Sequence, residues 1–162
     1  MSTFTYCPLC ATALVERALE GAPRAACPSC DYVHYDNPTP VLAAIVQRGD
    51  DVVLVRNVGW PETWFGLVSG FMERGETPEE GLLREVREEL GVQGRDVVFV
   101  GNYAFRRVNQ VILAYHVTID DAPSPNPEEI AAIKHVPVTK LKPWPFGTGH
   151  AVRDWLASLE GP

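Results

Sequence analysis

The stretch that decides the expected fold lies between residues 70 and 92 and reads GFMERGETPEEGLLREVREELGV. Its second half has the pattern of a helix over residues 78–90. Thr77 is a good N-cap, and Glu80 completes a capping box with it. Pro78 suits the first helical turn, and Gly91 is placed to end the helix. The sequence therefore predicts a capped helix that follows a glycine-punctuated loop.

This helix has one apolar face and one acidic face. Four apolar residues fall within an arc of roughly 100° that can face a core: Leu82, Leu83, Val86 and Leu90. Glu85, Glu88 and Glu89 fall on the adjacent arc, because i+3 and i+4 neighbours share a helix face. Such a carboxylate cluster suits Mg²⁺ or Mn²⁺, which prefer oxygen ligands. The alternative is a solvated charged face with i,i+4 ion pairs.

The overall charge argues against a protein whose main role is to wrap nucleic acid. The 162 residues carry 14 Lys and Arg against 21 Asp and Glu, which gives a net charge of −7. Residues 73–90 alone hold seven Glu and three Arg. We expect a phosphate-bearing ligand to approach that segment only with metal cations between them.

The four cysteines form two Cys-x-x-Cys knuckles with sixteen residues between them: Cys7, Cys10, Cys27 and Cys30. This spacing predicts one tetrahedral structural Zn²⁺ with four thiolate ligands. The alternative is a pair of disulfides. The sequence shows no secretion signal and no apolar run long enough to span a membrane, so we expect a reducing, cytoplasmic location in which disulfides are rare.

The rest of the chain favours an α+β domain after the cysteines. We expect a zinc ribbon over residues 1–35 and a second domain over residues 36–162. The expected strands are Val41–Gln47, Val52–Arg56, Phe65–Val68, Val97–Arg107, Val111–Thr118 and Ile130–Val136. A final helix is expected from about Thr148 to Leu159.

With these elements placed, the spacing within residues 70–92 resembles the complete Nudix box. Five residues separate Gly70 from Glu76, and seven more lead to the run from Arg84 to Val92. The resemblance implies an α/β/α sandwich with a mixed β-sheet. It also implies hydrolysis of a nucleoside diphosphate that is linked to another group.

The resemblance implies a role for each matching residue. The implied ligands of a catalytic Mg²⁺ or Mn²⁺ are the backbone carbonyl of Gly70 and the side chains of Glu85, Glu88 and Glu89. Glu76 and Arg84 match the salt-bridged pair that braces the loop against the helix. Glu129 matches a further glutamate that approaches the metals, and we expect Glu88, Glu89 or Glu129 to act as the general base for the attacking water.

The ribbon together with the box is similar to the NADH pyrophosphatase branch and to ribbon-bearing Nudix hydrolases that act on dinucleotides or ADP-ribose. The NADH-preferring branch carries a Ser-Gln-Pro-Trp-Pro-Phe-type motif where this chain has residues 101–107, and here Pro-Trp-Pro-Phe occurs only at 143–146. We therefore expect ADP-ribose or FAD to be preferred over NADH. The candidate substrate-binding residues are Tyr103, Phe105, Arg106 and Arg107.

The expected partner is a small nucleotide, with no nucleic acid and no membrane, and a homodimer is left open. The rival hypothesis is a binding module, in which the ribbon docks nucleic acid or protein and the Nudix fold serves as a scaffold. Intact box carboxylates favour the enzyme over this alternative.

Overall fold

The computed structural model describes residues 4–161 and divides them into two compact units, with the division after Pro38. The first unit contains all four cysteines, and the second contains residues 70–92. No helix among the described residues is both long enough and apolar enough to cross a bilayer.

The first unit is a three-stranded antiparallel sheet of β1 (Val15–Leu19), β2 (Ala22–Ala26) and β3 (Val33–His34). The turn between β1 and β2 uses Glu20 and Gly21, which both have positive φ, at 52° and 78°. Two-residue hairpins need this conformation because it matches the twist of the strands.

The ribbon unit has almost no core of its own. Within residues 4–38, only Cys7, Ala26 and Cys27 are buried. Burial of so little apolar surface cannot offset the conformational entropy of ordering more than thirty residues. The unit therefore needs a cross-link, and its four thiols are the groups able to supply one.

The second unit is built on a six-stranded sheet. Its strands are β4 (Thr39–Arg48), β5 (Asp51–Asn57), β6 (Val68–Phe71), β7 (Arg95–Phe105), β8 (Gln110–Thr118) and β9 (Ile130–Pro137). The order is β7-β8-β4-β5-β9, with β6 paired to the first half of β4. Strands β4 and β8 are parallel and the other pairs are antiparallel, so the predicted mixed sheet is confirmed.

One helix covers each face of this sheet, which confirms the predicted α/β/α sandwich. Alternate residues of β4 point to opposite faces. Leu42 packs on the side of α1 (Pro78–Leu90), whereas Ile45 packs on the side of α2 (Gly149–Leu159). Strand β4 is thus buried on both faces, which explains the continuous apolar run along its sequence.

Helix α1 has the ends that the sequence predicts. The Thr77 side chain accepts a hydrogen bond from the Glu80 backbone, and the Glu80 side chain accepts one from the Thr77 backbone. Gly91 ends the helix in the left-handed conformation, with φ of 66°. A Cβ at Gly91 would also lie 2.6 Å from the carbonyl oxygen of Ser124, so glycine is required there.

All six strands of the second unit differ from their predicted bounds, most of them by one or two residues at an end, and two of the differences have a structural cause. The strand predicted at Phe65–Val68 lies instead at Val68–Phe71, because β6 pairs in register with residues 41–44 of β4. The strand predicted to reach Arg107 ends at Phe105, which pairs with Gln110. The chain must reverse between these two partners, and residues 106–108 form a 3-10 turn to do so.

Candidate functional site

A cavity of about 650 Å³ opens where the end of β6 meets the acidic face of α1. Six carboxylates line it: Glu73, Glu85, Glu88, Glu89, Glu128 and Glu129. Arg84 is the one cationic side chain among the described lining residues. Strand β6 pairs with β4, and residues 72–77 connect it directly to α1. The end of the strand and the glutamates of the helix therefore line one cavity.

Two glycines permit the close packing of this cavity. A Cβ at Gly70 would lie 2.0 Å from Cδ of Glu85, so only glycine lets the strand backbone approach that carboxylate. A Cβ at Gly81 would lie 2.4 Å from Oε1 of Glu76 and 2.6 Å from Cδ1 of Leu42. Gly81 therefore leaves the space in which Glu76 reaches the helix.

Arg84 ties the loop to the helix through five hydrogen bonds. Its Nε and Nη2 donate to the two oxygens of Glu76 at 3.1 and 2.8 Å. Its Nη1 donates to Glu85 Oε1 at 2.7 Å and to Glu88 Oε2 at 3.0 Å, and Nη2 also donates to the Phe71 carbonyl at 3.1 Å. The hydrogen bonds from Arg84 hold the pKa of Glu76 below its ordinary value. All donor capacity of this guanidinium is thus used within the box.

Glu89 is the buried carboxylate of the site, with 3% of its surface exposed. Desolvation raises its pKa to about 8, and the nearby Glu85 adds to the rise, although a backbone hydrogen bond from Ser69 opposes it. Burial also raises the pKa of Glu85. Within residues 4–161, Oε2 of Glu89 has no hydrogen-bond partner. A buried carboxylate without a cation is costly, so this position favours a bound positive charge.

The loop before β9 brings Glu128 and Glu129 to the same cavity, and Asn126 organises it. The Asn126 backbone N–H donates to the Glu89 carbonyl at 3.0 Å, which attaches the loop to the end of α1. The Asn126 side chain accepts from the Glu128 backbone at 3.1 Å. The negative charge of Glu129 contributes to the raised pKa values of Glu85 and Glu89, which places the three carboxylates in one electrostatic cluster.

The donor set of the cavity fits Mg²⁺ or Mn²⁺. All candidate ligands are oxygens, as these hard cations require. The carboxylate oxygens are more widely spaced than the ligands of a closed metal site. Among residues 4–161, only the four cysteines form a group of three or more candidate ligands whose donor atoms all lie within 4.8 Å of one another. Wide spacing suits a cation that keeps waters and substrate oxygens among its ligands.

The four cysteine sulfurs have the geometry of a tetrahedral zinc site. The Sγ atoms of Cys10 and Cys27 lie 3.5 Å apart, those of Cys7 and Cys30 lie 3.6 Å apart, and those of Cys10 and Cys30 lie 3.8 Å apart. Four ligands at the usual Zn–S distance of about 2.3 Å would be separated by roughly 3.8 Å.

In each Cys-x-x-Cys knuckle, a backbone N–H also donates a hydrogen bond to the sulfur of the first cysteine. The Leu9 N–H donates to Cys7 Sγ and the Ser29 N–H donates to Cys27 Sγ, both at 3.4 Å. These bonds stabilise thiolates and hold them toward a common centre. The residues therefore fit Zn²⁺.

Comparison with known families agrees with this geometry. Residues 37–155 match the model described as NUDIX domain, and residues 5–36 match the one described as Nudix N-terminal, a zinc ribbon. The chain belongs to the Nudix family. The predicted family and the predicted fold class are thereby confirmed.

Among curated relatives, the chain is 31% identical over 155 residues to the NAD-capped RNA hydrolase NudC of Pseudomonas putida (strain F1), covering 95% of this chain and 55% of that protein. It is 30% identical over 134 residues to the protein of the same name from Pseudomonas entomophila (strain L48), covering 82% and 48%. The chain spans about half the length of these relatives.

Solved structures show the same Nudix fold. A NUDIX hydrolase from Nitrosomonas europaea aligns with a TM-score of 0.73 at 25% identity, covering 85% of this chain and 80% of that one. A UDP-X diphosphatase aligns with a TM-score of 0.59 at 21% identity, covering 82% and 64%, and supports the fold alone.

Four residues predicted to bind substrate do not line the Nudix carboxylate cavity. Tyr103 donates to Asp154 Oδ2 at 3.0 Å, and Phe105 packs in the core on the side of α2. Arg106 and Arg107 lie exposed in the 3-10 turn. A role for these four in substrate binding stays a prediction, and it would require a substrate that extends beyond the cavity.

The cavity also contains residues that the sequence did not indicate. Phe71, which is 58% exposed, lines it together with Asn57 and Val58. Phe71 pairs with Val41 across the sheet, a contact that no local pattern reveals. The Val58 N–H donates a hydrogen bond to the Glu129 carbonyl at 2.7 Å. The two residues are far apart in sequence, so no local pattern reveals this contact.

Proposed function

We propose that the chain is a metal-dependent hydrolase of the pyrophosphate bond in nucleoside diphosphate derivatives. The observation that carries the proposal is a six-carboxylate cavity whose only lining cation, among the described residues, is already committed to the box. A polyphosphate cannot approach such a surface unless divalent cations lie between them.

The ligands in this proposal are the Gly70 carbonyl and the carboxylates of Glu85, Glu88 and Glu89. Bound Mg²⁺ or Mn²⁺ would neutralise pyrophosphate oxygens and lower the pKa of a water. Within the chain, Arg84 holds Glu85 and Glu88 in place, and the backbone N–H of Ser69 supports Glu89. These contacts preorganise the carboxylates before the substrate arrives.

A carboxylate of the cavity takes the proton of the attacking water. Glu88, Glu89 and Glu129 remain the candidates for this base. Glu129 is on a loop that Asn126 fixes to the helix, and Glu88 has 49% of its side chain exposed. Burial raises the pKa of Glu89 to about 8 in the chain without a metal, and a cation bound to this carboxylate would lower it again. Comparison of pH–rate profiles for Glu88→Gln, Glu89→Gln and Glu129→Gln distinguishes them.

For the substrate, we propose an ADP-linked compound such as ADP-ribose, FAD or an NAD-type dinucleotide. Among the described residues, Phe71 is the aromatic residue that lines the cavity, and its exposed ring is the group on which a base would stack. The names of the curated relatives add RNA that carries an NAD cap to the compounds to be tested.

The direct test is kcat/KM for ADP-ribose, FAD, NADH, an NAD-capped oligoribonucleotide and 8-oxo-dGTP in one Mg²⁺ buffer. We expect cleavage of the ADP-linked compounds to AMP and a second monophosphate, with ADP-ribose or FAD ahead of NADH. No turnover of any compound with Mg²⁺ or Mn²⁺ would contradict the proposed hydrolase. A preference for NADH above about tenfold, roughly 1.4 kcal/mol, would contradict only the substrate order.

A cytoplasmic location and a homodimer complete the proposal. The unpaired thiols of the zinc cluster suit a reducing compartment. Edge strand β7 exposes Val98 and Phe99, which a second copy could cover. Light scattering on the purified chain measures the oligomeric state.

A further inference from the structure

The ribbon unit contains a second cavity, of about 520 Å³, that is lined entirely by residues between 4 and 36. It is separate in its residues from the carboxylate cavity. Its floor is Ala25, which pairs with Glu16 on one side and with His34 on the other. Directly opposite residues of an antiparallel sheet share a face, so the small alanine leaves a depression between a carboxylate and an imidazole.

Aromatic rings form part of the wall. Phe4 is 45% exposed, and its ring centroid lies 4.7 Å from that of His34. Tyr35 is 41% exposed, and the guanidinium of Arg24 lies over its ring at 5.2 Å. Exposed aromatic faces of this kind bind flat ligands by stacking.

The wall also contains both kinds of hydrogen-bonding group. Glu16 supplies an acceptor, whereas Arg24 and His34 supply nitrogens. Arg24 is fixed by a hydrogen bond from Nη1 to the Tyr35 carbonyl at 2.6 Å. Its Nε and Nε2 of His34 are buried atoms without a hydrogen-bond partner within residues 4–161. Asp36 Oδ1 lies 3.6 Å from that imidazole nitrogen, which is the distance of an ion pair and not of a hydrogen bond. The two buried nitrogens are not open to a ligand as the side chains stand, and the exposed carboxylates of the wall are Glu16 and Asp36.

The charge of the ribbon restricts the ligand. Residues 4–38 carry two Arg against four Asp and Glu, and four zinc-bound thiolates would add further negative charge. Glu16 and Asp36 lie in the cavity wall itself. A phosphate or a nucleic-acid backbone is disfavoured here, whereas an uncharged flat heterocycle with its own donors meets the aromatic rings and the exposed carboxylates of the wall.

We propose that this ribbon cavity binds a nucleobase, as the base of a free nucleoside or of a nucleotide whose phosphates remain in solvent. The base lies over Ala25 and stacks on the aromatic wall. Glu16 accepts hydrogen bonds from the exocyclic amine of the base. The proposal does not rest on the hydrolysis proposed above, because nucleoside binding needs no pyrophosphate bond.

The test is an NMR titration of the zinc-loaded full chain with adenosine, followed through backbone amide shifts. We expect saturable shifts at residues 14–16, 23–25 and 34–36. Two control ligands are titrated in the same way. Ribose 5-phosphate has the sugar and phosphate but no base, and N-acetyltyrosinamide represents an aromatic side chain of a peptide. Absence of ribbon shifts with adenosine, equal shifts with ribose 5-phosphate, or tighter binding of N-acetyltyrosinamide would each overturn the proposal.

Two variants locate the site. Glu16→Gln removes a charged acceptor and is expected to weaken adenosine binding about tenfold or more. Ala25→Leu fills the floor and is expected to abolish the shifts. Glu20→Gln is the matched control, since it removes a ribbon carboxylate outside the cavity and is expected to leave the affinity unchanged. Zinc content is measured for each variant. Wild-type affinity in both cavity variants would refute the assignment.

Discussion

The two candidate metal sites of this chain are built in opposite ways. The zinc cluster gathers four sulfurs to within 4.8 Å of one another in a unit with three buried residues, whereas the carboxylate cavity spreads its oxygens on a unit with a core on each face of the sheet. In the ribbon, the ligands surround one point and leave no position open. In the Nudix unit, Nη1 of Arg84 binds both Glu85 and Glu88, and the carboxylate oxygens are more widely spaced than the four sulfurs. The contrast indicates that zinc contributes to folding, while the second metal contributes to chemistry.

The largest effect is expected on removal of zinc. Structural zinc contributes on the order of 10 kcal/mol or more in domains with so small a core. Cys27→Ser, or treatment with a strong chelator, is therefore expected to unfold residues 4–38 while residues 39–161 keep their fold. Amide spectra and limited proteolysis measure this, and elemental analysis of the wild type is expected to give one zinc per chain.

Ser29→Ala is the matched control for the cysteine variant, because Ser29 belongs to the same knuckle but offers no ligand. It is expected to keep both zinc and structure. A ribbon that stays ordered in the Cys27→Ser variant without metal would show that the sheet alone is stable, and the comparison above would fail.

The next effect concerns Glu89, where activity and stability are expected to change in opposite directions. Glu89→Gln keeps the size of the side chain but removes a proposed metal ligand, so turnover is expected to fall at least a hundredfold, in the range that loss of a catalytic carboxylate causes. Its unfolding free energy is expected to equal or exceed that of the wild type, because a buried charge without a cation is removed.

The pH dependence sharpens this test. The folded wild type has a Glu89 pKa of about 8, above the ordinary value of 4.5, so the folded state binds more protons than the unfolded state between these values. Metal-free wild-type stability is therefore lost as pH rises from 4.5 through 8, and Glu89→Gln lacks this contribution. Urea denaturation at several pH values measures it.

Glu79→Gln is the control for the Glu89 variant. Glu79 contacts the hydroxyl of Tyr115 at the start of the same helix, and an amide oxygen can still accept that hydrogen bond. Near-wild-type turnover and stability are expected. Equal turnover in the Glu89 variant and in this control at saturating Mg²⁺ would contradict the proposed role of the cavity.

A smaller effect on stability and activity is expected when Arg84, which ties the loop to the helix, is replaced. Arg84→Lys cannot bond both oxygens of Glu76 and reach Glu85 and Glu88 together, because an ammonium group lacks the planar fork of a guanidinium. We expect about 1–3 kcal/mol lower stability, the range for loss of a charged hydrogen-bonded pair, and roughly tenfold lower kcat. Arg87→Lys, on the exposed side of the helix, is expected to change neither. Equal stability and kcat in the two variants would contradict the proposed role of Arg84 in tying the loop to the helix.

The predictions from sequence succeeded where the determining contacts are local. The ends of α1 depend on contacts between residues three or four apart, as in the Thr77–Glu80 capping box, and the zinc knuckles depend on Cys-x-x-Cys spacing. The resemblance to the box implied that the Gly70 carbonyl is a metal ligand, which stays a prediction. The structure adds the reason for a glycine at this position, since a Cβ there would collide with Glu85.

The predictions failed where distant parts of the chain decide the structure. The strand at Val68–Phe71 is displaced from its apolar signal because its register follows β4, far away in sequence. Asn126 carries no signal of its own, yet its backbone bond to Glu89 brings the second acidic loop to the cavity. Residue patterns contain local propensity, but they do not contain such long-range pairings.

The smallest predicted effect is a pH dependence of stability that arises on the face of the Nudix sheet opposite to the carboxylate cavity. The acidic face buries a carboxylate, whereas the side facing α2 carries the half-buried His116, whose ring stacks on that of Trp155 with the centroids 5.1 Å apart. Gln47 uses its amide N–H on the Gly49 carbonyl, so its Oε1 accepts from Nε2–H of His116 at 2.8 Å. Burial lowers the pKa of His116 below its ordinary value of 6.5. The folded state thus keeps the ring neutral at pH values where the unfolded chain gains a proton.

The contribution of His116 is therefore fully present above pH 6.5 and is lost as pH falls toward its lowered pKa. We expect the unfolding free energy of the wild type to fall more steeply below pH 6.5 than that of His116→Gln, in which no proton can be gained. His135→Gln, at an exposed position of β9, is the control and is expected to keep the wild-type slope. Guanidinium denaturation between pH 5 and pH 7 measures the three slopes, and parallel slopes for wild type and His116→Gln would show that this ring does not resist protonation in the folded protein.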